Sequence, residues 1–177
     1  ESEIVHRLVG SEMWYKRQVL VFDECTSGFR KNYGGLHMLY DVEPDVAMFG
    51  KALGNGYAVT AVLGKREVMQ AAEKSFISST FWTERIGSSA GLATLKVMDK
   101  EKSWEKITKI GEYVNSEWMN LSKEFDLPIT INGLAALTTF SFKRENAVAY
   151  KTFITQEMLK KGYLAATAVY VCTAHTK

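Results

Sequence analysis

Cysteine and proline are scarce in this chain, two of each in 177 residues, and there are only three histidines. Cys25 and Cys172 stand far apart with no metal-type spacing, which argues against a disulfide framework and against a zinc site. Both are read as reduced thiols. His6, His37 and His175 are equally scattered, and no ligand spacing links them. An excess of one charge is missing too: 22 basic against 20 acidic side chains leave a formal net charge of +2, spread along the sequence. That balance leaves no footprint for nucleic acid or for an anionic membrane surface. No apolar run approaches the roughly 18–20 residues of a spanning helix, and Glu1-Ser2-Glu3 lacks the basic and apolar regions of a signal peptide. A cytoplasmic protein is the expectation. What remains is a chain with 46% hydrophobic and 24% charged residues, enough apolar material for a packed core.

The apolar residues fall into two patterns. Gln18 to Phe22 is a β-branched and apolar run that suits a strand buried on both faces, and it ends in Asp23-Glu24. Acidic residues just past the C-terminal end of such a strand sit where open α/β sheets place their ligands. A glycine-containing loop, Thr26 to Gly35, leads to a second short run, Val46 to Phe49, which stops at Gly50-Lys51. Gly54-Asn55-Gly56 marks a turn, and Ala58 to Leu63 reads as a further strand closed by Gly64. Lys65 to Lys74 and Arg85 to Met98 are helix candidates. This alternation belongs to an α/β layer architecture. From Trp104 the period changes: Trp104, Ile107, Gly111, Val114, Trp118, Leu121 and Phe125 recur every three or four residues. They predict one long amphipathic helix with Ser103 as its N-cap and Pro128 beyond its end. Strands at 129–131 and 137–142, a helix from Val148 to Lys160 ended by Gly162, and a strand at 168–172 complete an α+β tail. Trp104 and Trp118 fall on the apolar face and read as core.

Three features carry candidate chemistry. Asp23 closes a buried strand. Lys51 follows an apolar segment directly and sits among glycines; a lysine in a partly desolvated site gains the lowered pKa of a nucleophilic amine, and glycines let backbone approach a ligand. Ser78-Ser79-Thr80 offers hydroxyls that could bind phosphate. Singly, each has a bland reading: a cap, a solvated turn residue, a polar loop. The glycines at 50, 54 and 56 do not form a dinucleotide fingerprint, because a strand rather than a helix is expected next.

Together the three segments resemble a known family. Val21-Phe22-Asp23-Glu24-Cys25-Thr26-Ser27-Gly28-Phe29-Arg30, then Pro44 to Gly56 around Phe49-Gly50-Lys51, then Ser79-Thr80-Phe81 look like the class III aminotransferases that depend on pyridoxal 5'-phosphate (PLP). The Thr-Ser-Gly-Phe-Arg form looks most like the glutamate-1-semialdehyde 2,1-aminomutase branch. The motifs follow in the family's order at similar spacing, and the likeness is strongest from about Val19 to Met98.

The resemblance implies a fold-type I transferase: residues 1–102 as the C-terminal part of a large PLP-binding domain with a mixed, mostly parallel sheet and helices, and residues 103–177 as a connecting helix with part of a smaller α+β domain. It implies that Asp23 pairs with the pyridine nitrogen of PLP and that Cys25 lies against the ring where the family commonly has valine. Lys51 would carry the cofactor as a Schiff base and shuttle the substrate's proton. Ser79 and Thr80 would reach the cofactor phosphate, Thr80 from the neighbouring subunit of a homodimer. The implied reaction is transamination or an intramolecular amino shift, with a small-molecule amino donor and acceptor such as a small amino acid, an amino aldehyde or an amino sugar. Family members are more than twice this long, and the phosphate cup and ring-stacking aromatic precede the aspartate strand, so a piece of such an enzyme is expected. The alternatives are a cofactor-free fragment or paralogue with a structural or dimerisation role, and a PLP-dependent decarboxylase or racemase. No role is assigned to Glu24, Arg30 or Glu84.

Overall fold

A computed structural model describes residues 18–82 and 84–176. His6, Met13, Trp14 and Tyr15 lie outside the described residues. Among the described residues two three-stranded sheets, each with its own helices, form the architecture. In the first, β1 (Val21–Glu24) pairs in parallel with β2 (Val46–Phe49), and β3 (Ala61–Gly64) runs antiparallel on the other side of β2. Among the described residues the sheet is therefore mixed, with one parallel and one antiparallel ladder. Leu20 N–H donates to Asp45 Oδ2 at 2.8 Å and helps set the β1–β2 register, which runs from Val21↔Val46 to Glu24↔Phe49.

Burial follows position in the sheet. Central strand β2 is buried at Val46, Ala47 and Phe49, as a two-sided run should be. The expected two-sided burial of β1 is not observed: Val21 is 49% exposed, and only Glu24 is buried. Among the described residues β1 has one neighbouring strand, so its outer edge is open. The strand also runs further than expected and includes Asp23 and Glu24. β3 starts later than expected, at Ala61, because Ala58 and Val59 are occupied as the seat of a helix. Ala47, Phe49 and Leu53 form the first core with Phe29, Val59, Ala61 and Leu95 around them.

The stretch 65–74 is a short helix α1 (Arg66–Met69) that tightens into a 3₁₀ turn at Gln70–Lys74. Helix α2 (Arg85–Glu101) buries Gly87 and Gly91, spaced four apart on one face. A Cβ at Gly87 would stand 2.5 Å from the Ala58 carbonyl oxygen, so the missing side chain is what lets the helix lie on that backbone.

Lys102, in the left-handed conformation at φ 50°, ends α2 and begins α3 (Ser103–Glu124). Ser103 is thus the first helical residue rather than the N-cap expected of it. With a single residue between two helices, Lys102 serves as both caps, and its Nζ reaches Asp99 at 2.8 Å and lies over the Trp104 ring at 5.3 Å.

The second sheet is antiparallel throughout, in the order β4 (Ile129–Asn132), β5 (Leu137–Phe142), β6 (Ala168–Tyr170), with α4 (Ala147–Lys160) leading into β6. Gly162, at φ 83°, follows α4. Ile107, Ala136 and Val171 form its core, with Ile110 and Val169 packed against them. An aromatic chain ties the layers: Trp118 meets Phe140 at 4.7 Å, Phe140 meets Phe142 at 5.5 Å, and Phe142 meets Tyr150 of α4 at 5.3 Å. Trp104 packs on Tyr33 at 5.4 Å, joining α3 to the first sheet's loop. The apolar face of α3 is not fully covered, since Leu121 and Phe125 lie exposed beyond the sheet.

Gly111 of α3 is where the helix touches the second sheet's entry loop: a Cβ there would collide with the backbone carbonyl of Ala135, which cannot swing aside. Alanine would gain about 1 kcal/mol of helix propensity, while overpacking costs typically 1–3 kcal/mol. The contact is backbone, so the clash wins. Gly111→Ala is expected to lower stability by about 2 kcal/mol in a urea or thermal melt, the upper overpacking cost less the gain in propensity; an unchanged midpoint would refute this packing.

Candidate active site

Parallel pairing brings the C-terminal ends of β1 and β2 to one edge of the first sheet. Asp23 stands opposite Met48, and Glu24 opposite Phe49, so the chain leaves both strands side by side, at Cys25 and at Gly50-Lys51. The Asp23 side chain is exposed, and its Oδ1 accepts the Cys25 N–H at 3.0 Å. Oδ2 takes no hydrogen bond from a described residue. Half-buried Cys25 packs over Gly50, where a Cβ would stand 2.8 Å from its Sγ. A thiol therefore fills the space a side chain at position 50 would need.

Lys51 opens a 3₁₀ turn (Lys51–Leu53) in the left-handed conformation, at φ 40°. Such a backbone is costly for a residue with a Cβ, and costs of this kind cluster where a side chain must be aimed. Its Nζ donates to Thr26 Oγ1 and, among the described residues, forms no ion pair with a carboxylate. The desolvation expected for Lys51 is not observed, since the residue is exposed among these residues. What holds the amine is the hydroxyl.

Lys51 lines a cavity of about 640 Å³ between α2, the turn at Gly54–Tyr57 and the segment 171–173. Arg30 lines it too, with a buried Nε that has no hydrogen-bond partner among the described residues, and burial pulls that guanidinium below its ordinary value. Neither Asp23 nor Cys25 borders this cavity, nor do Ser79 and Thr80. The last two sit in an exposed stretch, where Ser79 Oγ accepts the Phe81 N–H at 3.3 Å. The structure thus gathers Asp23, Cys25 and Lys51 at one sheet edge and leaves Ser79 and Thr80 apart from them.

Two residues of this edge had no assigned role. Thr26, at the head of the loop, carries no sequence signal beyond a hydroxyl after a strand. Glu24 is 2% exposed. Burial works against its charge. The Ser27 hydroxyl at 2.5 Å, the Leu36 N–H, the His37 N–H at 3.1 Å and His37 Nδ1 at 3.1 Å outweigh that, holding the carboxyl below its ordinary value. Among the described residues no three His, Cys, Asp or Glu side chains gather as a metal set, no helix is long and apolar enough to cross a membrane, and both cysteines are free.

An acid and a lysine thus stand at adjacent C-terminal ends of parallel strands in an α/β arrangement. The model of the family Aminotransferase class-III matches residues 14–175, and the chain belongs to that family. It is 35% identical over 164 residues to a 3-aminobutyryl-CoA aminotransferase of Cloacimonas acidaminovorans, covering 89% of this chain and 40% of that protein. A glutamate-1-semialdehyde 2,1-aminomutase of Sulfurihydrogenibium sp. is 30% identical over 176 residues, covering 90% and 41%. Of solved structures, a PLP form of the FumI protein of Sphingopyxis sp. MTA144 superposes with a TM-score of 0.80 at 24% identity, over 89% of this chain and 39% of that one. An omega-transaminase from Sphaerobacter thermophilus gives 0.76 at 22%, over 97% and 41%. These two likenesses carry the fold. The chain spans about two fifths of the length of the relatives it matches.

The direction of the Glu24 shift sets a pH dependence. A carboxyl with a lowered folded value contributes stability that is fully present above its unfolded value, near 4.5, and is lost as pH falls through the lowered one. Glu24→Gln is expected to cost about 1–3 kcal/mol at pH 7, the range for leaving buried donors unpaired. Its deficit against the wild type should narrow in urea melts below pH 4.5. A deficit constant from pH 7 to pH 3 would contradict the assignment.

Proposed function

We propose that this chain supplies the lysine-bearing portion of a PLP-dependent enzyme that transfers amino groups, as an aminotransferase or an aminomutase of the glutamate-1-semialdehyde type. One observation carries the reading: in a class III aminotransferase chain, Lys51 and Asp23 leave adjacent parallel strands at the same sheet edge. The residues present fit the cofactor. Lys51 Nζ is held by a hydroxyl rather than neutralised by a carboxylate, so it is available as a nucleophile, and Asp23 has one oxygen uncommitted and exposed. Cys25 presents a small apolar surface beside them.

When bound, PLP supplies an electron sink for the pair left when a substrate carbon loses its proton. Lys51 Nζ would hold the cofactor covalently and, once freed by a substrate amine, would take the proton from the amine-bearing carbon and give it back, acting as base and then acid. The Asp23 carboxylate would sit against the ring nitrogen and keep a proton there. Cys25 would pack on the ring face. Ser79 and Thr80 would bind the phosphate, Thr80 across a homodimer interface, and their exposure away from the Lys51 edge agrees with service to a second subunit. The division at Lys102 agrees with a large-domain portion at 1–102 and a smaller α+β portion at 103–177.

In the intact protein, Lys51→Ala is expected to abolish borohydride-fixable PLP and the visible absorbance of the lysine-bound cofactor. Asp23→Asn should retain covalent attachment but lower kcat/KM by on the order of 10²–10³-fold, about 3–4 kcal/mol of charge stabilisation. Fixable PLP in the Lys51→Ala variant would sink the assignment. A colourless wild type with no fixable cofactor would favour the structural, cofactor-free reading.

A further inference from the structure

Glu24 follows the candidate cofactor-pairing aspartate directly, yet its side chain takes the opposite course, into the protein. All the groups it meets are donors. Oε2 accepts from Ser27 Oγ, while Oε1 accepts from the His37 N–H and from His37 Nδ1, and the Leu36 N–H adds a further donor. A carboxylate accepts only, so it satisfies all four; an amide in its place would set an N–H₂ against at least one of them. These bonds reach both ends of one loop: Ser27 lies just beyond β1, and Leu36 and His37 lie after the loop has turned back. Backbone contacts shape the same loop, with Gly28 N–H on the Glu24 carbonyl at 2.8 Å and Phe29 N–H on the Gly34 carbonyl at 2.8 Å. The fit is close, since a Cβ on Gly35 would stand 2.9 Å from Glu24 Oε1. Thr26, whose hydroxyl receives Lys51 Nζ, sits inside this loop between Glu24 and its partner Ser27.

We propose that Glu24 is a positioning residue, a buried latch that pins the loop 25–37 to the end of β1 and so holds the Thr26 hydroxyl against Lys51 Nζ. The proposal rests on the reading of Lys51 as the reactive amine and extends it to what aims that amine. The latch acts on Lys51 only through the loop. On one side of Thr26 the Cys25 N–H is tied to Asp23 Oδ1, on the other the Ser27 hydroxyl is tied to Glu24 Oε2, and without the carboxylate the second tie is weakened.

The test uses the intact protein and reads Lys51 itself. In cofactor-free protein, the rate of Lys51 acetylation by trace acetic anhydride is followed against pH, with Lys65 and Lys109 as internal references. Glu24→Gln is expected to raise the Lys51 rate at least threefold and leave the references unchanged, and to weaken PLP binding about tenfold. Ser27→Ala removes one latch bond while leaving the carboxylate, and should move both readouts in the same direction by less. Gly111→Ala, destabilising but distant, should move neither. If Glu24→Gln and Ser27→Ala both lower the melting temperature yet leave the Lys51 profile at that of the wild type, as Gly111→Ala does, Glu24 is merely structural and the proposal fails. Because acetylation needs no cofactor, that failure is separate from the failure of the functional reading, which Lys51→Ala with fixable PLP would bring.

Discussion

The parallel ladder between β1 and β2 is the constraint on which the candidate site depends. An antiparallel pairing of the same strands would send Asp23 and Lys51 to opposite edges of the sheet, and a register slip of one residue would turn Asp23 to the other face. Three things specify the observed register: the apolar run of β2, which can be satisfied only in the middle of the sheet; the Asp45 carboxylate on the Leu20 N–H; and antiparallel β3, which holds β2 from its other side. The chemistry at the edge then follows from geometry, because whatever follows Glu24 must stand beside whatever follows Phe49.

Much of this was legible in the sequence wherever local pattern and final environment agree. Val46 to Phe49 reads as a buried strand because it is flanked on both sides, and the three- and four-residue spacing from Trp104 to Trp118 reads as a helix because one face meets a sheet. The pattern misled where environment departs from it. Val19, Val21, Leu121 and Phe125 are apolar yet exposed among the described residues, since no described element covers them. Ser103 has the right chemistry for a cap, but the corner at Lys102 leaves no room for a separate one.

The site was legible in part for the same kind of reason. Asp23 and Lys51 belong to motifs that identify themselves by residue type and order. Glu24 does not: an acid after an apolar strand looks like any loop acid, and its meaning lies in four donors contributed by residues that fold back upon it. Thr26 is similar, since a hydroxyl acquires significance only from the amine that reaches it. Long-range pairing creates most of these contacts, and no window of neighbouring residues contains all of them.

The corner at Lys102 has a mechanical consequence. Helix α3 has 22 residues, and at 1.5 Å of rise per residue its axis is about 33 Å long. A rotation of about 10° at the residue joining it to α2 therefore swings its far end by about 6 Å. The second sheet rides on that lever, and its outgoing strand leads into Val171, Cys172 and Thr173, which wall the cavity holding Lys51 and Arg30. A change in the backbone angles of that single residue, held in place by Asp99 and by the face of Trp104, would thereby alter the width of the space beside Lys51.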